Sequence, residues 1–207
     1  MIDSSDGVVE AVNYSLREMG EPEQPPDKIK PFIGYSLTHM YPHFTDAPMG
    51  ELRRLFQIQA KRSMVASTVV LPGVEEVLKR LHEAEYGLAI ASTKIIIHIS
   101  GILAKFGWES IFEVFSGGDE VAQVKPDPEI FRLTLERLEA NPGQAVVVGD
   151  TVNDVLAALS VPVSVVAVAS PYGGEDKVRQ AGPDHFLEHV EELPDLLTSI
   201  FEKKSKS

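Results

Sequence analysis

Four short runs constrain the fold of this chain more than any other feature. Residues 87–92 (GLAIAS), 114–116 (VFS), 145–149 (AVVVG) and 163–168 (VSVVAV) are almost continuously apolar, and the last three are mostly β-branched or aromatic. They do not alternate apolar with polar, so neither face of the strands they form is suited to water. Between them lie amphipathic stretches at 73–84, 95–106, 128–139 and 152–160, and another closes the chain near 190–203. Apolar strands alternating with helices predict a parallel sheet covered on both faces. The fold class expected is α/β, with a Rossmann-like core over 69–207.

The first third of the chain has a different texture. The spacing of Val8, Val9, Val12, Leu16 and Met19 predicts a helix that Gly20 ends. Pro25, Pro26 and Asp27 start a second, short helix. A third runs from Pro48 to Val65, with Leu52, Leu55, Phe56 and Met64 on its apolar side. No strand is predicted between residues 6 and 66, and 1–68 are expected to form a small all-helical module against the core. A chain of 207 residues, 43 % hydrophobic and 24 % charged, can bury such a core. The formal net charge of −12 argues against a nucleic-acid partner, which would need a basic face. The basic run at 203–206 reads as a solvated tail. With no cysteine, disulfides and thiolate metal sites are excluded. No run approaches the ~20 apolar residues of a membrane span, so a soluble, cytoplasmic protein is expected. Oligomeric state is not legible.

In sheets of this kind ligands bind beyond the carboxyl ends of the strands, so the residues after each run are the informative ones. After Ala91 come Ser92, Thr93 and Lys94. A hydroxyl there can donate to a phosphate oxygen while helix amides help hold the anion; an ordinary helix N-cap is the competing explanation. In Lys125-Pro126-Asp127-Pro128, Asp127 as N-cap and Pro128 at the first helical position account for two residues. Lys125 is left over, suited either to charge compensation at a phosphoryl group or to the surface. Asp150 follows the 145–149 run and Asp154 lies four residues on, which places both carboxylates on one side of a first helical turn. Their repulsion is relieved partly by the helix N-terminus and better by Mg²⁺, which takes one or two carboxylates with water and substrate phosphate. Gly149 lets the backbone approach, and the strand before it is read as buried. In the helical module, His39 and His43 read as surface residues, and Arg53, Arg54, Lys61 and Arg62 as a solvated helix face.

Hydroxyl, lysine and paired aspartates, in this order after successive parallel strands, resemble the haloacid dehalogenase-like phosphatase superfamily over essentially the whole chain. The segments 71–78 (LPGVEEVL), 88–94 (LAIASTK), 124–131 (VKPDPEIF) and 148–154 (VGDTVND) look like the branch that includes phosphoglycolate phosphatase. The helical module is similar to that branch's cap, and 33–37 (IGYSL) to its loop facing the substrate. The resemblance implies Mg²⁺-dependent hydrolysis of a small phosphorylated metabolite through an aspartyl-phosphate. By position, Ser92 and Thr93 would hold the phosphoryl group, Lys125 would offset charge in the transition state, and Asp150 with Asp154 would hold Mg²⁺. Gly34, Tyr35 and Arg53 are the candidates for substrate specificity. Pyrophosphate hydrolysis and phosphosugar isomerisation stay open within the family; dehalogenation does not need a metal pair.

The chain departs from the family pattern at its start. The family's nucleophile lies in D-x-D-G-T-L-x-D-S at the end of the first core strand, and here Met1-Ile2-Asp3-Ser4 fits only the last four letters. The nucleophile, the acid–base aspartate and their strand are therefore expected ahead of Met1, leaving residues 1–4 as the tail of that motif. On this reading the 207 residues alone are inactive, and a few apolar side chains go unburied at about 1.5–3 kcal/mol each. The alternative role is a non-catalytic module that binds Mg²⁺ and phosphate.

Overall fold

The helical module hangs from a ribbon that no sequence pattern announces. In the computed structural model, which describes residues 1–171 and 174–204, β1 (Ile2–Asp3) pairs antiparallel with β2 (Val69–Val70), Ile2 opposite Val70 and Asp3 opposite Val69. Between the two strands the chain makes α1 (Ser5–Glu18), α2 (Pro26–Ile29), α3 (Leu37–Met40) and α4 (Met49–Ser67). Short 3₁₀ turns at Lys30–Phe32 and Tyr41–His43 complete the module. The predicted spacing is what packs it: Val8, Val12 and Leu16 of α1 close on Leu52, Ala60 and Met64 of α4, with Ile29, Met40 and Tyr41 filling the end. Tyr41 reaches the hydroxyl of Ser15, and burial pushes its phenol up to about 12 although that hydrogen bond works the other way.

The core follows as α5 (Val74–Glu83), β3 (Ala89–Ala91), α6 (Ile96–Phe106), β4 (Val114–Ser116), α7 (Glu129–Arg137), β5 (Val146–Gly149), α8 (Val152–Leu159), β6 (Ser164–Val168), α9 (Glu175–Gln180), β7 (His185–Leu187) and α10 (Leu193–Lys204). The four apolar runs are β3 to β6: β4 equals its run, β5 and β6 are one residue shorter and β3 three shorter. Helix α9 and strand β7 are additions that periodicity did not reveal. Lys105 of α6 donates to the carbonyls of Val65 (3.1 Å), Ala66 (2.8 Å) and Thr68 (2.6 Å), capping the end of α4 where the module joins the core.

All core pairing is parallel, as expected, but it falls into two sheets: β3 with β4, and β5-β6-β7. Shared side-chain layers join them. Ala91 and Val147 pack on the cluster of Ile130, Phe131, Val155 and Val165. Leu88 and Val146 pack on that of Val77, Leu81, Val166 and Leu197. The sheet is thus one layer interrupted between β3 and β5. This corrects the reading of β5 as a buried strand: Val148 is 43 % exposed, whereas Val166 on the central β6 is 0 %. A strand paired on one edge only leaves side chains at its other edge partly uncovered.

Among the described residues no helix is long and apolar enough to cross a membrane. Ser205 and Lys206 of the terminal basic run lie outside the described residues.

Candidate functional site

The carboxyl ends of β3 and β5 carry the groups singled out by the sequence. Ser92 continues the pairing of β3, its N–H donating to the Ser116 carbonyl at 3.0 Å. Its Oγ accepts from Lys94 N at 3.1 Å, which keeps the hydroxyl hydrogen for another acceptor. Helix α6 begins only at Ile96, so neither Ser92 nor Thr93 is its N-cap. Instead Asp119 Oδ1 accepts from Ile96 N at 2.9 Å. That removes capping as the explanation for the two hydroxyls, and it also removes one of the helix amides expected to help hold an anion.

Lys125 is not at the surface. Its side chain is 10 % exposed, and its Nζ lies 3.1 Å from the Ala91 carbonyl and 2.5 Å from Asp154 Oδ1, over the ring of Phe131. One ammonium thereby ties the end of β3 to the start of α8. The helix after it starts one residue later than expected: Pro128 is its N-cap, and Asp127 Oδ1 accepts from Glu129 N at 2.9 Å.

Asp150 and Asp154 meet differently from the expected helical spacing. Asp150 stands in the turn before α8, whose N-cap is Thr151, and Asp154 is the third helical residue. Thr151 donates to Asp154 Oδ2 from its N–H (3.1 Å) and its hydroxyl (2.6 Å), while Thr151 Oγ1 accepts from Asp154 N at 3.3 Å. This is a capping box built with aspartate. Gly149 is required here, because a Cβ at that position would collide with Asp154 Cβ. Burial alone would raise the Asp154 carboxyl. Lys125, by charge and hydrogen bond, and the Thr151 donors outweigh burial and hold it below the usual carboxylate range.

Sequence reasoning gave Lys94 no role, yet its ammonium turns inward to donate to Ser4 Oγ at 2.8 Å. Burial, then repulsion from Lys125, pushes it down to about 8 against the attraction of Asp3 and Asp150. The Met1 end of β1 also lies within Coulombic reach of Asp150 and Asp154. Two lysines, a hydroxyl and two carboxylates therefore converge on one mouth. A divalent cation could sit on Asp150 and Asp154 with water and phosphate completing its shell; among the described residues no group of three His, Cys, Asp or Glu is assembled.

The helical module meets this mouth through Gly34, whose carbonyl accepts from Asn153 Nδ2 at 3.2 Å. Tyr35 stacks on His39 (centroids 4.8 Å apart), and His43 and Phe32 extend the aromatic group. Arg53 is exposed on α4, where its neighbour Arg54 pairs with Glu51. Of the three specificity candidates, Gly34 alone is seen in contact with α8. Thr151 and Asn153 were also missed; the Thr-x-x-Asp spacing was the readable signal for the first, and nothing local marked the second.

The profile of the haloacid dehalogenase-like hydrolase family matches residues 1–168. A phosphoglycolate phosphatase of Psychrobacter arcticus is 29 % identical over 214 residues, covering 97 % of this chain and 93 % of its own length. The pyrophosphatase PpaX of Listeria monocytogenes is 30 % identical over 167 residues, covering 81 % and 77 %. Among solved structures, a haloacid dehalogenase-like hydrolase from Bacteroides fragilis superposes with a TM-score of 0.87 at 27 % identity, over 93 % of this chain and 94 % of that one.

Proposed function

The chain belongs to the haloacid dehalogenase-like hydrolase family, and on that premise we propose that it serves Mg²⁺-dependent hydrolysis of a small phosphate monoester of the phosphoglycolate class. The observation that carries this reading is Lys125, whose ammonium joins the end of β3 at Ala91 to Asp154 at the start of α8. On this reading a phosphoryl group at that mouth meets the Ser92 hydroxyl and the Ser92–Lys94 turn on one side and the Lys125 ammonium on the other. Lys125 offsets the charge that grows on the transferring oxygens. Asp150 and Asp154 are the residues to hold Mg²⁺, which when bound supplies further charge neutralisation at the phosphate.

The reaction needs a carboxylate nucleophile. Its oxygen attacks phosphorus and the bond to the alcohol oxygen breaks as the acid–base aspartate of the same motif gives that oxygen a proton; the acid–base group then takes a proton from the water that cleaves the acyl-phosphate. We place that carboxylate on an extended strand entering between β3 and β5, as the motif ending at Ile2-Asp3-Ser4 implies. The interrupted sheet, the exposure of Val148 and the Met1 amino group within Coulombic reach of Asp150 and Asp154 support this place. On this proposal residues 1–207 alone bind Mg²⁺ and phosphate without turnover. The test compares them with the same chain preceded by a strand of about six residues ending in Asp-x-Asp-Gly-Thr, on an aryl phosphate with Mg²⁺. Turnover by the extended form alone is expected. An extended form inert on a panel of phosphate esters overturns the enzyme, and equal turnover by the short form overturns the nucleophile's place. If the short form gains thermal stability from Mg²⁺ plus phosphate while the extended form stays inert, a binding module without catalysis is the better reading.

A further inference from the structure

The first turn of α8 contains a buried polar side chain that the reaction above does not use. Asn153 is 5 % exposed, and its Nδ2 donates to the Gly34 carbonyl across a sequence separation of 119. Gly34 has φ +92°, a conformation that disfavours any side chain, and a Cβ there would stand 3.3 Å from the Thr151 methyl. The loop 33–36 is therefore seated on the helical turn whose Thr151 and Lys125 partners fix Asp154. At its root the module is tied to the core by the β1–β2 pairing, by Lys105 capping α4, by Lys94 bonding Ser4, and by α4 packing on α6, where Val65 lies against Gly101. A body rooted at one end and held at the other by the Asn153 hydrogen bond and the Gly34–Thr151 contact has an opening motion about the root.

We propose that Asn153 is a positioning residue that latches the 33–36 loop over the phosphate site, so that the closed arrangement is set from α8. The inference rests on the phosphatase reading for its catalytic consequence, though not for the latch itself. A neutral hydrogen bond of this kind shifts a two-state balance by about three- to tenfold. Removing it lowers the closed-to-open ratio by that factor, and apparent affinity falls with the closed fraction, by at most the same factor. Bound substrate still selects the closed state, so kcat holds.

The test reads amide hydrogen exchange across 33–37 in the 207-residue chain, its Asn153→Ala variant and its Gly34→Ala variant, without ligand. About three- to tenfold faster exchange in the loop is expected in both variants, with α10 amides unchanged. Gly34→Ala lifts the loop against Thr151 without altering α8, so the proposal stays exposed to refutation if Asn153→Ala folds poorly. Loop exchange at the parent rate in the folded variants overturns the latch. In the extended, active form Asn153→Ala should raise KM, by no more than the factor seen in exchange, and leave kcat within about twofold. A fall in kcat at constant KM overturns the positioning role. If no extended form turns over, the phosphatase reading fails while the exchange data still decide the latch.

Discussion

Replacing Lys125 by methionine isolates the ion pair at the centre of the site. The two side chains are 10 % and 12 % exposed and 2.5 Å apart, so Lys125→Met strands a carboxylate largely away from water. Breaking a buried pair from one side costs about 3–5 kcal/mol. The Thr151 donors and the helix N-terminus remain and offset about 1 kcal/mol. A net loss of about 3 kcal/mol corresponds to a melting temperature about 6–12 °C lower for a chain of this length. The pH dependence carries the sign. In the parent, the depressed Asp154 carboxyl contributes stability that is present above its unfolded value near ~3.9 and is lost as pH falls through the lower folded value. Without Lys125, burial dominates and raises the folded value, so the variant regains stability as pH falls. Urea unfolding followed by circular dichroism at pH 7.5 and at pH 4.5 should show the gap between variant and parent narrowing at the lower pH. Lys125→Met/Asp154→Leu should lie within about 1 kcal/mol of the parent, since removing both charges is nearly neutral. A single variant within about 0.5 kcal/mol of the parent at pH 7.5, or a gap that does not close on acidification, refutes the account of a desolvated pair.

Lys94→Met tests the second lysine. Because burial depresses its ammonium to about 8, the parent carries a penalty that is full below that pH and relieved as pH rises towards the unfolded value of 10.5. The variant should be more stable at pH 7 by about 2 kcal/mol, with the advantage shrinking above pH 8; a pH-independent difference contradicts this. The interrupted sheet makes a separate prediction about two valines. Val166→Ala on the fully buried β6 should cost about 2 kcal/mol and Val148→Ala on the open edge of β5 under about 1. Equal costs in thermal melts would mean that the edge of β5 is covered in solution.

How much of this was legible in advance differs by element. The valine runs of β5 and β6 and the 3-to-4 spacing of α1 declare themselves because side-chain pattern and local backbone preference agree there. The positions of Ser92 and Asp150 follow from the same pattern, since a residue just after a parallel strand stands at its carboxyl end; Lys125, well beyond β4, and Asp154, inside α8, are brought there by the fold. What each of them touches does not follow. Lys94 looks like any lysine in a turn until Ser4, 90 positions away, accepts its hydrogen bond.

Local chemistry by itself determined the alternation of strands and helices, the helical texture of the first third, and that Ser92 and Asp150 stand at strand ends. Tertiary structure alone decided that residues 2–3 pair with 69–70, that the sheet breaks between β3 and β5, and that Asn153 meets Gly34 across 119 positions. Periodicity records which face of an element avoids water, and it is written within a few neighbouring residues. Pairing across long separations is settled by which edges and amides come together once those faces are buried, and two-residue strands or a single amide leave no periodic trace.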